Sequence, residues 1–171
     1  MHFLKNFYLT NIRYQLLNKF IYQKLVEFPK LEKIILNFES KKIDTKTLFS
    51  GLLAFELIAS QKGLLTKTVN INITLKIRKG NPAGCKLTLK KNKLFELFTY
   101  FLLNILPKIK QNKFNLNKNN ISYKIKKTLA VLKLETHYYF FNYLSNLNLT
   151  ILVNTKKKEE ILFFYKLLYF L

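Results

Sequence analysis

The residues best suited to chemistry lie between Leu75 and Lys90, in the stretch LKIRKGNPAGCKLTLK. It places Gly80, Pro82 and Gly84 within five positions, in a chain with only four glycines and three prolines. It also holds Arg78, one of two arginines, beside Lys79 and close to Lys86. Guanidinium and ammonium groups on a glycine-loosened backbone suit phosphate contact, because glycine lets backbone N–H groups approach an anion closely. A simple tight turn would use the same Gly and Pro residues, but the concentration of scarce types favours a functional tip.

Other chemistries lack their parts. Cys85 continues an alternation with Leu87 and Leu89, which reads as packing, and neither base nor acid is nearby in sequence to activate it. His2 and His137 stand without ligand spacing. Glu159 and Glu160 open a helix, where negative charge complements the helix dipole. No phosphate loop, zinc pattern or nucleophile–base signature is present, so neither metal, cofactor nor catalysis is expected. A single cysteine also excludes an internal disulfide framework.

Composition supports an anionic partner. Thirty basic residues against nine acidic ones give a formal charge of +21 over 171 residues, and 49% of the chain is hydrophobic. Such an excess makes sense once a polyanion neutralises it. Nucleic acid is the first candidate. The alternative is a basic amphipathic protein on an anionic membrane surface. No apolar run reaches spanning length, so no membrane insertion is expected. The preference for Lys, Asn, Ile, Phe and Tyr reads as an AT-rich coding bias, typical of an organelle genome or of an AT-rich parasite or endosymbiont.

The elements that would position the tip follow from periodicity. Residues 3–20 read as a helix striped by Leu9, Ile12, Leu16 and Phe20. KLEKIILNF (30–38) reads as a strand with Ile34, Leu36 and Phe38 inward. Asp44 or Thr45 caps a helix over 46–60 with the stripe Leu48, Leu52, Phe55 and Ala59. From Val69 to Ile77 every odd residue is apolar, which predicts a strand buried on one face. Alternation resumes at Cys85, Leu87 and Leu89, with Lys86, Thr88 and Lys90 outward, so the pair reads as a long antiparallel hairpin. Asn92 caps a helix that Pro107 stops. Residues 108–120 read as a loop, 121–126 and 147–154 as strands, and Thr155 caps a final helix with Ile161, Phe164, Tyr165 and Leu168. Residues 128–146 resist assignment. The sum is an α+β fold: an antiparallel sheet with helices on one face and a protruding hairpin. It forms a single domain over 1–171, with a helical segment at 1–28 and the α+β core at 29–171.

Four collinear stretches resemble the ribosomal protein L-five family, the large-subunit proteins that hold 5S rRNA in the central protuberance. FPKLEKIILN (28–37) is similar to the family's first strand, and SQKGLLTKT (60–68) to its Gly-Gln-Lys-Pro segment. IRKGNPAGCKLTLK (77–90) is similar to its hairpin, and LNLTILVNTKKKEEILFFYKLL to its closing strand and helix. The resemblance implies a structural, non-catalytic RNA-binding protein whose sheet face and adjacent loops grip 5S rRNA or large-subunit rRNA. Carried over by position, the rRNA contacts are Asn37, Gln61, Lys62, Thr66, Lys67, Thr88 and Lys90. The hairpin contacts to peptidyl-site tRNA are Arg78, Lys79, Gly80, Asn81, Pro82, Gly84 and Lys86. It also implies contacts with neighbouring central-protuberance proteins and a bridge to a small-subunit head protein. The chain departs from the family at Phe38–Lys41, where a Gly-Val-Gly loop is usual, and at Gly63, where proline is usual. Composition, and a start where bacterial members start, lead us to expect an organelle-encoded protein of the mitochondrial matrix and its ribosome, with a plastid second and an AT-rich bacterium third.

Overall fold

The computed structural model describes residues 3–39, 44–71, 78–108, 114–117, 119–126, 128–144, 146–155 and 157–169. Its centre is strand β1 (Lys30–Glu39), whose even residues Ile34, Leu36 and Phe38 are buried. Strand β6 (Leu147–Asn154) pairs along one side, with Leu147, Leu149, Ile151 and Val153 buried. Strand β3 (Pro82–Leu89) pairs along the other, with Cys85, Leu87 and Leu89 buried. Short strands β2 (Leu64–Lys67) and β4 (Phe114–Leu116) form the edges, and β5 (Asn120–Ile125) lies between β4 and β6. The sheet order is β2-β3-β1-β6-β5-β4, and every pairing is antiparallel.

The buried side is covered by helices. The N-terminal segment runs from α1 (Phe3–Phe7) through a π-helical turn, Tyr8–Ile12, into α2 (Arg13–Lys19). Its core contacts are Leu4, Ile12 and Leu16, while Leu9 is 44% exposed, so the expected stripe moves from Leu9 to Leu4 and the half-buried Tyr8. Helix α3 (Thr45–Ala59) buries Leu48, Ala54, Phe55 and Ile58. Its N-cap is Asp44, whose carboxylate makes no capping bond; instead the Thr47 hydroxyl donates to the Asp44 carbonyl at 2.8 Å. Helix α4 (Lys91–Tyr100) has Lys90 at its N-cap position, with no side-chain capping bond, rather than the expected Asn92, and continues as a π-helical turn, Phe101–Ile105. Its stripe, Leu94, Phe98, Phe101 and Ile105, is buried. Residues 128–144 resolve into a 3-10 turn and two short helices, α5 (Leu132–Glu135) and α6 (Tyr138–Phe141). Helix α7 (Lys158–Tyr169) packs through Ile161, Phe164 and Tyr165, with Glu159 and Glu160 in its first turn. The α+β reading from sequence therefore holds.

Two expectations change. The 108–120 region contains β4, which pairs Asn115 with Ser122 and Leu116 with Ile121. The hairpin's first strand is Leu64–Lys67 rather than one starting at Val69. Val69 and Ile71 are 77% and 67% exposed and have no ladder partner among the described residues, and residues 72–77 lie outside them. Alternation persists past the ladder because nothing in a period-2 pattern specifies where pairing stops.

Candidate nucleic-acid interface

The face of the sheet away from the helices is built by strand parity. Asn37 pairs with Lys86 on one side and with Asn148 on the other, and Asn148 pairs with Lys124. A row Lys124–Asn148–Asn37–Lys86 thus crosses four strands. The next row is Ser122–Thr150–Ile35–Thr88, which Asn115 extends at the β4 edge. With strands about 4.8 Å apart, the two lysines stand about 14 Å from each other with amide side chains between them. These two rows carry hydroxyls, amides and ammonium groups and no carboxylate. Such a surface offers donors to phosphate and sugar oxygens, which fix register without reading bases.

The hairpin's neck is closed by Thr68. Its N–H donates to the Asn81 carbonyl at 2.9 Å, and the Gly80 N–H donates to the Thr68 carbonyl at 3.0 Å. Its hydroxyl lies 2.7 Å from the Arg78 carbonyl and 3.2 Å from that of Asn81, sharing one proton between them. The Asn81 N–H reaches the Arg78 carbonyl at 3.3 Å. Gly80 supports this turn with φ of +87°, a backbone region that a Cβ disfavours. Gly80, Asn81 and Pro82 therefore form the neck, and residues 72–77 beyond it lie outside the described residues. Arg78, Lys79 and Gly80 are exposed; Asn81 and Pro82 are half-buried.

Gly84 and Lys86 belong to the sheet instead of the tip. Gly84 is buried opposite Glu39 and Thr66, and a Cβ there would stand 2.6 Å from the Phe38 carbonyl oxygen. Its role is to let β3 close on β1, so it positions the hairpin without offering a contact surface. Lys86 is exposed in the Lys–Asn row.

Of the remaining expected contacts, Lys62, Lys67 and Lys90 are exposed, and Thr66 and Thr88 are half-buried. Gln61 is committed to the fold, since its side-chain amide donates to the Thr88 carbonyl at 3.3 Å. That bond ties the loop after α3 to strand β3 of the open sheet face. Gly63 occupies the usual proline position because a Cβ there would fall 2.5 Å from the Phe55 ring. Cys85 is buried, and its thiol lies 3.3 Å from the Leu48 carbonyl; burial pushes the thiol pKa up, which keeps it protonated and inert. His137 is exposed, and His2 lies outside the described residues. Among the described residues no group of His, Cys, Asp and Glu could hold a metal, and no helix is long and apolar enough to cross a membrane.

Lys124, Asn148, Ser122, Thr150 and Thr68 were not among the expected contacts. The outward parity of ISYKIK and LNLTILVN marks the first four, and Thr68 becomes visible only once the neck is seen closed.

The chain is 34% identical over 167 residues to the large ribosomal subunit protein uL5m of Reclinomonas americana, covering 94% of this chain and 92% of that protein. It belongs to the uL5 family. The uL5 of Ehrlichia ruminantium is 32% identical over 164 residues, 92% of each chain. That of Clostridium acetobutylicum is 40% identical over 111 residues, 63% of this chain and 61% of its own. No family model matches the chain. The uL5 relatives named here thus include a mitochondrial and two bacterial proteins.

Proposed function

We propose that this uL5 protein is a structural, non-catalytic component of the large ribosomal subunit. It binds 5S rRNA, large-subunit rRNA or both in the central protuberance. The observation that carries the reading is the open sheet face, with its Lys124–Asn148–Asn37–Lys86 row. Lysines neutralise phosphates, while Asn, Ser and Thr side chains hold sugars and phosphates in register. Lys62, Lys67, Thr66, Thr88 and Lys90 border or extend that face, and Gln61 holds it in shape. At the closed neck, Arg78, Lys79 and Gly80 contact peptidyl-site tRNA. Neighbouring proteins of the protuberance and a small-subunit head protein complete its contacts. The Lys- and Asn-rich composition and the mitochondrial relative support a place in the mitochondrial ribosome.

The test is to recover the protein from native extract, crosslink, and sequence the attached RNA. We expect large-subunit rRNA, with 5S rRNA where that ribosome keeps one. Recovery without any rRNA would overturn the reading. In vitro, roughly 6–10 phosphate contacts give a log–log salt slope of several units, whereas a flat response contradicts an electrostatic grip.

A further inference from the structure

At its start, β1 breaks its own alternation. Lys33, Ile35 and Asn37 face the open side, so a regular ladder would turn Leu31 there as well. The irregularity between Leu31 and Lys33 pairs Lys33 with Leu152 but Leu31 with the buried Val153. A bulge of this kind re-aims a side chain. Leu31 turns to the helix side and lines a cavity of about 280 Å³ between the N-terminal helical segment, α4 and α7.

The cavity combines two chemistries. Its floor is apolar and aromatic: Leu4, Phe98 and Phe164 are buried, and Phe95 is half-buried beside them. Its lining also includes Lys5, Arg13 and Lys30 and, among the described residues, no carboxylate. Tyr8 lines it too; its hydroxyl is buried and, among the described residues, has no hydrogen-bond partner of good geometry, with the Arg13 guanidinium as its nearest polar neighbour. Burial raises that phenol's pKa, against the smaller opposing charge and side-chain hydrogen bonding of Arg13, so it stays a proton donor at neutral pH. A fitting ligand therefore has a flat apolar body, an acceptor on its edge and negative charge at the mouth. A fatty acyl anion supplies the body and the charge but leaves the Tyr8 hydroxyl unmatched. A nucleotide supplies all three. Single-stranded RNA is commonly read through unstacked bases received by aromatic side chains.

We propose that this cavity receives one unstacked base of the bound rRNA. Lys5, Arg13 and Lys30 hold its flanking phosphates, and Tyr8 donates to an acceptor on its edge. The proposal rests on the RNA-binding reading above and adds a second grip, distant from the hairpin. Lys30 begins β1 and the neck flanks its other end, about 30 Å away at some 3.3 Å per residue.

The test uses the full chain and two single-stranded oligonucleotides of equal length, one carrying 2-aminopurine and one abasic at that position. Filter binding of an rRNA fragment is measured in parallel. We expect quenching of 2-aminopurine, and roughly tenfold weaker binding of the abasic strand, in line with the loss of one stacked base. Leu9→Glu places a carboxylate at a partly exposed lining position and should abolish the quenching while the chain still binds the rRNA fragment. Tyr8→Phe should weaken insertion about three- to tenfold, the range of one hydrogen bond. Equal binding of both strands, with quenching absent or indifferent to Leu9→Glu, overturns the cavity and leaves the sheet reading standing if the fragment still binds. Failure to bind the fragment at all removes both readings. Palmitate binding that Leu9→Glu abolishes, without quenching, would overturn the proposal by assigning the cavity to acyl anions.

Discussion

The two ends of β1 solve opposite problems. At Phe38 the strand is closed on β3 so tightly that Gly84 leaves no room for a Cβ, which would meet a backbone oxygen at 2.6 Å. At Leu31 the bulge opens the packing into a cavity of about 280 Å³. One end is a rigid mount for the neck that Thr68 clamps. The other gathers aromatic rings and cations around free space: Tyr8, Phe95, Phe98 and Phe164 line the cavity with Lys5, Arg13 and Lys30, and beside it the Arg13 guanidinium sits 5.4 Å over the Phe28 ring. The lesson is that one strand can be incompressible where it must present a loop and receptive where it can admit a ligand. Backbone chemistry decides which, through a glycine at one end and a bulge at the other.

The sharpest way to break this contrast is Gly84→Ala. The added methyl group confronts backbone, which cannot move aside as a side chain does, and the expected loss is about 3 kcal/mol, at the upper end of overpacking effects. A fall in the urea midpoint measures it; an unchanged midpoint would show that the closed end has slack. Thr68→Val keeps the shape but removes the hydroxyl that bridges to Arg78 and Asn81. About 1 kcal/mol should be lost, with faster amide exchange at Gly80 and Asn81 if the neck loosens as argued.

At the open end the expected effect is smaller and depends on pH. Burial, with Glu160 and Tyr8 adding to it, pushes the Tyr22 phenol up to about 12 from its ordinary 10. The unfolded chain loses this proton first, so the contribution of Tyr22 to stability is flat below pH 10 and declines from there toward 12. Tyr22→Phe should flatten that alkaline decline. An identical decline in the variant would remove Tyr22 from the account. The smallest stability change, within about 0.5 kcal/mol, is expected for Arg78→Ala with Lys79→Ala, because both residues are exposed. Large-subunit assembly should survive in that double variant while tRNA handling suffers. Loss of assembly would contradict the division of labour between neck and sheet.

How much of this was legible depended on whether a pattern had a partner. LNLTILVN became β6 with its predicted bounds, and the inward residues of β1 and β3 were read correctly, because strict alternation in a one-side-buried strand leaves a single choice of face. The same logic misled at Val69 and Ile71, where alternation continues beyond the last paired residue. The edge strand β4 hid in an asparagine-rich stretch whose composition disfavours strands. The π-helical turns at Tyr8–Ile12 and Phe101–Ile105 leave no trace in periodicity, yet the first of them carries Tyr8 and Leu9, both of which line the cavity. For the candidate interface, the scarcity of glycine and arginine identified the hairpin. It could not separate Gly80, which turns the neck, from Gly84, which seats the strand.

The sheet order also sets a schedule for synthesis. Strand β1 is made first, yet it lies between β3 and β6, and Leu36 waits for Leu149, roughly 110 residues later. At a translation rate of about 5–20 residues per second, the central strand spends on the order of 5–20 s with one edge open. Until β6 leaves the ribosome, the nascent chain carries an unpaired apolar ribbon among its lysines. Its last strand is therefore the one that commits the fold.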